Sequence, residues 1–247
     1  MNKLALISDI HGNMQALKAV LDDIKKENCD KIFCLGDLAM AGSEPVKAIE
    51  LIKKLYDTGK LELIQGNTDE MIGDYETFKE KIEAKFPIMA NALKNDVEII
   101  PENLKDFLRN LPKQKELQIE GVKILLVHGS PRKNDENISP ELPIEKIEEI
   151  LTDVEADLIF CGHTHIPCGY QTNKKQTVVN VGSVGRPFTP NPQACYVVAE
   201  FSDGAFNVLH KFVDYESQKA SEILAKRDFQ GADKLAQILI KPEFRHM

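Results

Sequence analysis

Seven side chains able to bind a metal or move a proton share one setting in this 247-residue sequence. Each follows closely on a short apolar run. Asp9-Ile10-His11 follows Leu4–Ile7, Gly36-Asp37 follows Ile32–Leu35, and Gly66-Asn67 follows Leu61–Ile64. His128 follows Val122–Val127, and Gly162-His163-Thr164-His165 follows Leu158–Cys161. Together Asp9, His11, Asp37, Asn67, His128, His163 and His165 offer oxygen and imidazole nitrogen, with no thiolate among them. Such sets suit Mn, Fe, Zn or Ni, with selection by geometry and metal availability more than by raw affinity. Seven ligands are too many for one ion, and they suit two ions roughly 3.5–4 Å apart that share a carboxylate, as in two-metal hydrolases. Taken singly, each has a plainer explanation: Asp9 and Asp37 as helix caps, Asn67 as a turn residue, His128 as a buried hydrogen-bonded histidine. Their joint occurrence, in order, at five such places is what those explanations fail to cover. Four of the six histidines fall there, while His210 and His246 do not.

The elements that must position these residues can be read from periodicity. Leu4–Ile7, Ile32–Leu35 and Leu61–Ile64 have strand length. Between them Leu17, Val20, Leu21 and Ile24 fall at helical spacing, as do Val46, Ile49, Ile52, Lys53 and Tyr56 less cleanly. Strand, helix, strand, helix, strand predicts a sheet with helical crossovers, and in open α/β sheets ligands bind beyond the C-terminal strand ends. Residues 70–112 turn charged and helical, broken at Phe86-Pro87 and reopened at Pro101, and read as an insertion or flap beside the active site. Two strands around Gly121, Lys115–Glu120 and Val122–Val127, precede a proline-rich loop and a helix near Ile144–Leu151. Strands are predicted at Leu158–Cys161, Thr177–Val181, Cys195–Phe201 and Phe206–Phe212, then helix from Tyr215 to Ile240. With no repeat or linker, residues 1–247 are expected to form a single domain.

Composition narrows the class of function. Apolar residues at 43% and charged residues at 28% allow a sizeable core. A net charge of −8 and a pI near 5.4 argue against long nucleic acid or an anionic membrane as partner. No run reaches the roughly 18 apolar residues of a membrane helix, and Leu4–Ile7 is too short for a signal peptide. Five cysteines without close CxxC spacing suggest reduced thiols, so a cytoplasmic protein is expected.

The ordered set Asp9-x-His11, Gly36-Asp37, Gly66-Asn67, His128 and Gly162-His163-Thr164-His165 resembles the calcineurin-like metallophosphoesterase family. Ser8-Asp9-Ile10-His11-Gly12-Asn13 and Asn180-Val181-Gly182-Ser183-Val184-Gly185-Arg186-Pro187 resemble signatures of its small stand-alone bacterial and archaeal phosphodiesterases. The resemblance implies a four-layer α/β/β/α sandwich with two mixed sheets and a metal site at the C-terminal ends of the strands. It implies one divalent ion on Asp9, His11, Asp37 and His165 and a second on Asp37, Asn67, His128 and His163, bridged by Asp37. Mn²⁺ is the first choice, with Fe, Ni or Zn as others. Two such cations lower the pKa of a bridging water and offset phosphoryl charge, so direct in-line attack on a phosphate ester is the expected chemistry, with Asp37, Asn67 and His128 at its centre.

One departure stands out. Many members of that family carry histidine after the Gly-Asn pair, where it is thought to orient substrate or protonate the leaving group. Here Gly66-Asn67-Thr68-Asp69 puts Thr68 in that place. Threonine can donate a hydrogen bond to substrate but is a poor general acid at neutral pH. Arg186 is a second candidate substrate contact, bidentate to phosphate. Asp69 either orients a metal-bound histidine or caps a helix, and Asn13 is a candidate cap for the first helix. The expected activity is a two-metal phosphodiesterase acting on a small phosphate-ester or nucleotide-like substrate. A dinucleoside polyphosphate hydrolase is the close alternative, and a catalytically inactive metal-binding scaffold is the alternative from another class. The sequence leaves a homo-oligomer open.

Overall fold

The computed structural model describes residues 2–242; His246 lies outside them. The first strand, β1 (Lys3–Ile7), is followed by α1 (Met14–Glu27), β2 (Lys31–Cys34), α2 (Pro45–Asp57) and β3 (Leu61–Leu63). Four helices come next: α3 (Asn67–Gly73), α4 (Tyr75–Lys85), α5 (Pro87–Ile99) and α6 (Glu102–Arg109). Then follow β4 (Gln114–Ile119), β5 (Val122–Val127), α7 (Ile144–Ile150), β6 (Leu158–Cys161), β7 (Cys168–Gln171) and β8 (Thr177–Asn180). The chain continues through β9 (Ala194–Ser202), β10 (Ala205–Val213), α8 (Ser217–Ala225) and α9 (Ala232–Ile240).

The strands form two five-stranded sheets, ordered β10-β9-β1-β2-β3 and β4-β5-β6-β8-β7. In the first sheet β1, β2 and β3 run parallel, which the helical crossovers α1 and α2 require, and β9 joins β1 antiparallel. In the second, β5, β6 and β8 are parallel, with antiparallel β4 and β7 at the edges. Both two-residue hairpins, Glu120-Gly121 and Asp203-Gly204, have positive φ at each turn residue. This is the mirror-image turn whose twist matches the strands it joins, and glycine adopts it without a Cβ clash.

Burial follows the same layering. Leu4 and Leu6 point into the space between the sheets with Phe33, Leu35, Ile124, Leu126, Phe160, Val179 and Val197. Their neighbours Ala5 and Ile7 face the other way, onto Leu17, Val20, Ile49, Ile52 and Leu93 of the helices. Leu125, Val127, Ile159 and Val178 face Ile147, Ile150 and Leu151 on the far side of the second sheet. Helix, sheet, sheet, helix is therefore the layer order, the sandwich that the resemblance implies. Each buried Leu, Ile or Phe contributes about 1.5–3 kcal/mol relative to exposure. The 70–112 stretch is helical throughout most of its length, and α5 buries Ala92 and Leu93 in the helix-side core of the first sheet. A short strand, β7, appears at the edge of the second sheet where the sequence predicts none.

Candidate metal centre

All seven side chains singled out in the sequence converge beyond the C-terminal ends of β1, β2, β3, β5 and β6. Asp9 and His11 come from the β1–α1 turn, Asp37 from the turn after β2, and Asn67 opens α3. His128 follows β5, and His163 and His165 follow β6. Asp9, His11, Asp37, His163 and His165 all hold left-handed backbone, φ between 46° and 67°. That region costs an L-residue free energy, and Asp and His tolerate it better than most. Close approach of the turns demands small residues too: a Cβ on Gly66 would lie 2.1 Å from Asp37 Oδ1.

The ligand atoms sit as atoms sharing an ion would. His11 Nε2 is 3.0 Å from His165 Nε2 and 3.6 Å from Asp37 Oδ2, and His165 Nε2 is 3.2 Å from Asp9 Oδ1. His128 Nε2 lies 3.0 Å from Asn67 Oδ1 and 3.4 Å from Asp37 Oδ1. The His163 ring stands edge-on to His128, centroids 5.3 Å apart, and the His163 N–H donates to Asp9 Oδ2 at 3.0 Å. Ligands bound at about 2.1 Å at tetrahedral or octahedral angles are themselves about 3–3.4 Å apart. Asp9, His11 and His165 form one compact group, and Asp9, Asp37 and His128 another.

Hydrogen bonds on the far side of the rings fix which nitrogen faces inward. His11 Nδ1–H donates to the Met40 carbonyl (3.1 Å), His128 Nδ1–H to the Leu35 carbonyl (2.8 Å), and His165 Nδ1–H to the Arg186 carbonyl (2.8 Å). A carbonyl only accepts, so each Nδ1 carries the proton and each Nε2 turns toward the carboxylates. Asp9 Oδ1 is buried without a hydrogen-bond partner. Lone pairs thus confront lone pairs in a buried space, a donor set that suits divalent cations with nitrogen and oxygen preferences.

Electrostatics point the same way. Burial alone would raise the Asp9 carboxyl, but the His165, His11 and His128 imidazoles outweigh it and hold it well below the usual carboxylate range. Asp37 is likewise pulled down to about 2 against burial, by His128 and His11. Burial would lower His128, yet Asp37 and Asp9 push it up to about 10. Positive charge is favoured at that point, whether from a proton or a metal ion. Burial and the adjacent His128 push His163 down to about 4, which keeps its ring neutral and free to coordinate.

Around this centre, several residues take roles that the sequence left open. Asp69 does not reach a histidine. Its carboxylate accepts from the backbone N–H groups of Asp37 (2.8 Å), Leu38 (2.9 Å) and Gly66 (2.9 Å), tying the Asp37 turn to the start of α3. Burial, then the neighbouring Asp37, raises the Asp69 carboxyl to about 7. Asn13 caps α1 by accepting from Ala16 N–H at 3.1 Å, as predicted. Asn180 donates to the Gly162 carbonyl (2.6 Å) and Thr164 Oγ1 (2.9 Å), fixing the turn that carries His163 and His165.

The two candidate substrate contacts lie beside the centre. Thr68 N–H donates to Asp37 Oδ1 at 2.8 Å, but its hydroxyl, expected to donate to substrate, donates instead to the Ala39 carbonyl at 3.0 Å. That carbonyl is buried and needs a donor, which takes the Thr68 proton away from the site. Arg186 is nearly buried, 7% exposed, with Nη1 3.4 Å from Met89 Sδ of α5 and the guanidinium 5.9 Å from the Phe188 ring, which stacks on His165.

Two buried charges with no sequence signal also lie near. Asp96 of α5 and Arg227, beyond α8, pair with each other, and Arg227 Nη1–H donates to the Gly42 carbonyl at 2.8 Å. They are 131 positions apart, on segments whose charges look like any solvated helix face.

The chain is 33% identical over 240 residues to the uncharacterized protein MJ0912 of Methanocaldococcus jannaschii, covering 90% of this chain and 92% of that one. Its fold is similar to that of the hypothetical protein PH1004 from Pyrococcus horikoshii OT3, with TM-score 0.86 and 24% identity over 99% of this chain and 100% of that chain. It also resembles a metallophosphoesterase from Sphaerobacter thermophilus, with TM-score 0.77 and 23% identity over 96% and 98% of the two chains. The family model for the calcineurin-like phosphoesterase superfamily domain matches residues 2–204, a span that contains all seven candidate ligands and every strand of both sheets except β10, and the chain belongs to that superfamily.

Proposed function

We propose that this protein is a two-metal phosphodiesterase acting on a small phosphate-ester or nucleotide-like substrate. The observation that carries the reading is the buried set of inward-facing Nε2 and carboxylate atoms, with three histidine tautomers fixed by backbone carbonyls. In this reading Asp9, His11, Asp37 and His165 hold one divalent ion, and Asp37, Asn67, His128 and His163 hold the other. Mn²⁺ is the first choice and Fe, Ni or Zn the others. Such ions supply an activated water and neutralise phosphoryl charge when bound. The chain's own part is to fix that geometry: Asp37 faces both halves, Asn67 adds an uncharged oxygen that admits an anionic substrate, and His128 anchors the set through Leu35. Arg186, at the rim, would orient a phosphate oxygen. A cytoplasmic location belongs to the same proposal.

A specific observation favours the phosphoanhydride variant as a second reading. With the Thr68 proton engaged by Ala39, the position after Asn67 has no acid for an alkoxide leaving group. A departing phosphate, as in a dinucleoside polyphosphate, needs little protonation.

The test is hydrolysis of bis(p-nitrophenyl) phosphate by metal-stripped protein with and without added Mn²⁺, beside His128→Ala. Mn²⁺ should restore turnover to the wild type and leave the variant at least about 10²-fold slower, the scale of loss for disturbed metal sites. A wild type inert with Mn²⁺, Fe²⁺, Ni²⁺ and Zn²⁺ alike would overturn the enzyme reading in favour of a metal-binding scaffold. A panel of diesters against dinucleoside polyphosphates then separates the first reading from the second.

A further inference from the structure

The His11 imidazole depends on a loop with an unusual backbone. Its Nδ1–H donates to the Met40 carbonyl, and Met40 and the next residue, Ala41, both adopt left-handed conformations with φ of 88° and 63°. Neither is a glycine, so the loop is strained and persists only where its surroundings hold it. Gly42, immediately after, is pressed against His11 itself: a Cβ there would lie 1.6 Å from the His11 carbonyl oxygen.

What holds the loop comes from far along the chain. Arg227 Nη1–H donates to the Gly42 carbonyl at 2.8 Å. Its Nη2 donates to Asn95 Oδ1 at 2.6 Å and to the Asp96 carboxylate. Burial raises the Asp96 carboxyl above its ordinary range against the pull of Arg227 and of the Met40 and Ala41 amides, and its Oδ2 makes no hydrogen bond. The Asp96 side chain is 0% and the Arg227 side chain 8% exposed. A buried ion pair is a weak source of net stability, since well-packed apolar residues often do as well. Its placement on the loop that aims His11 offers another reason for it. Arg227 lies beyond residue 204, where the superfamily match ends, so the C-terminal segment contributes one half of the pair, while Asp96 and the loop lie within the match.

We infer that Asp96 and Arg227 are positioning residues for His11: by clamping residues 40–42 they aim its Nε2 and thereby set the metal affinity of the Asp9–His11–His165 half of the centre. This rests on the two-metal reading above. The guanidinium fork spans α5 and the loop at once, so a lysine would hold only part of the clamp.

The experiment compares wild type with Asp96→Leu/Arg227→Met, which removes both charges while keeping bulk, and with Arg227→Lys. The first readout is Mn²⁺ titration of the metal-free proteins, with free Mn²⁺ followed by EPR. The second is the ¹⁵N tautomer signature of His11 by NMR in the metal-free proteins, assigned with His11→Gln. The double variant is expected to bind one of two Mn²⁺ ions about tenfold more weakly and the other within about twofold, at the low end for outer-shell changes. His11 should lose its single Nδ1–H signature while the His128 signature stays as in the wild type. Arg227→Lys should give the same pattern at smaller size, and it carries the test if the double variant fails to fold. Unchanged affinity at both ions with an unchanged His11 signature would overturn the proposal. So would parallel weakening at both ions, which marks a merely structural role. If wild type binds no Mn²⁺, the two-metal reading fails by itself, while the His11 signature still decides whether the pair sets the ring.

Discussion

Asn67, Thr68 and Asp69 are consecutive, yet each serves a different partner: Asn67 faces His128, Thr68 hydrogen-bonds Asp37 and Ala39, and Asp69 gathers three backbone amides. The identities of the candidate ligands were legible because their chemistry is carried by residue type and by neighbouring glycines. What Thr68 does was not legible, because its hydroxyl is claimed by a carbonyl 29 positions away and sequence says nothing of that carbonyl's needs. For the proposed hydrolysis, the position after Asn67 then supplies no proton to a leaving group. Thr68→His is expected to raise the ratio of alkyl to aryl ester turnover by about 10²-fold, the lower end for general acid catalysis. Measuring both esters on one metal-replete preparation checks this, and an unchanged ratio in a folded variant would clear Thr68 of responsibility.

Among the elements, every described strand but β7 was readable, those that carry ligands most plainly. β1, β5 and β6 are fully apolar or nearly so, since parallel interior strands are covered on both faces. β7 was missed because an edge strand reading Cys-Gly-Tyr-Gln, with alternate residues exposed, has no apolar run to betray it. Of the breaks that divide the helices between β3 and β4 into four, those at Phe86-Pro87 and Pro101 were legible from proline and the one at Asp74 was not, while the burial of Ala92 and Leu93 depends on a neighbour that sequence cannot name. The join between β2 and α3 rests on Asp69, and Asp69→Asn would turn an amide NH₂ against at least one of the three donors. A loss of about 1–3 kcal/mol is expected for the unsatisfied group, or roughly 3–10 °C in Tm by calorimetry. A variant that melts with the wild type would show that water replaces the lost acceptor.

For the molecule as a whole, the candidate centre is a seam: Asp9, His11, Asp37 and Asn67 come from the first sheet, and His128, His163 and His165 from the second. A second link crosses the sheets where His210 Nε2–H of β10 donates to the Asn180 carbonyl of β8 at 2.7 Å. Burial lowers the His210 pKa below its ordinary 6.5. The unfolded chain therefore binds the proton more readily, so stability present above pH 6.5 is lost as pH falls from there toward the folded-state value. His210→Leu should lose less stability than wild type between pH 7 and 5, by denaturant melts at both; equal losses would mean that the ring titrates alike in the folded and unfolded chains. The long reach of these links is why periodicity showed the first sheet with its helical crossovers, and the resemblance the sandwich, but neither showed Asp96 with Arg227: periodicity reports which face is buried, not which distant residue meets it. The same reach has a meaning for synthesis. Leu4 of β1 pairs on one side with Lys31, but on the other with Ala199 of β9. At about 5–20 residues per second, β1 waits roughly 10–40 s on the ribosome with that edge open. All seven candidate ligands have been made by residue 165, before β9 emerges. On the two-metal reading, ion capture by the nascent chain can thus precede closure of the sheet, so the cation would act as a template for assembly and metal depletion would slow folding itself.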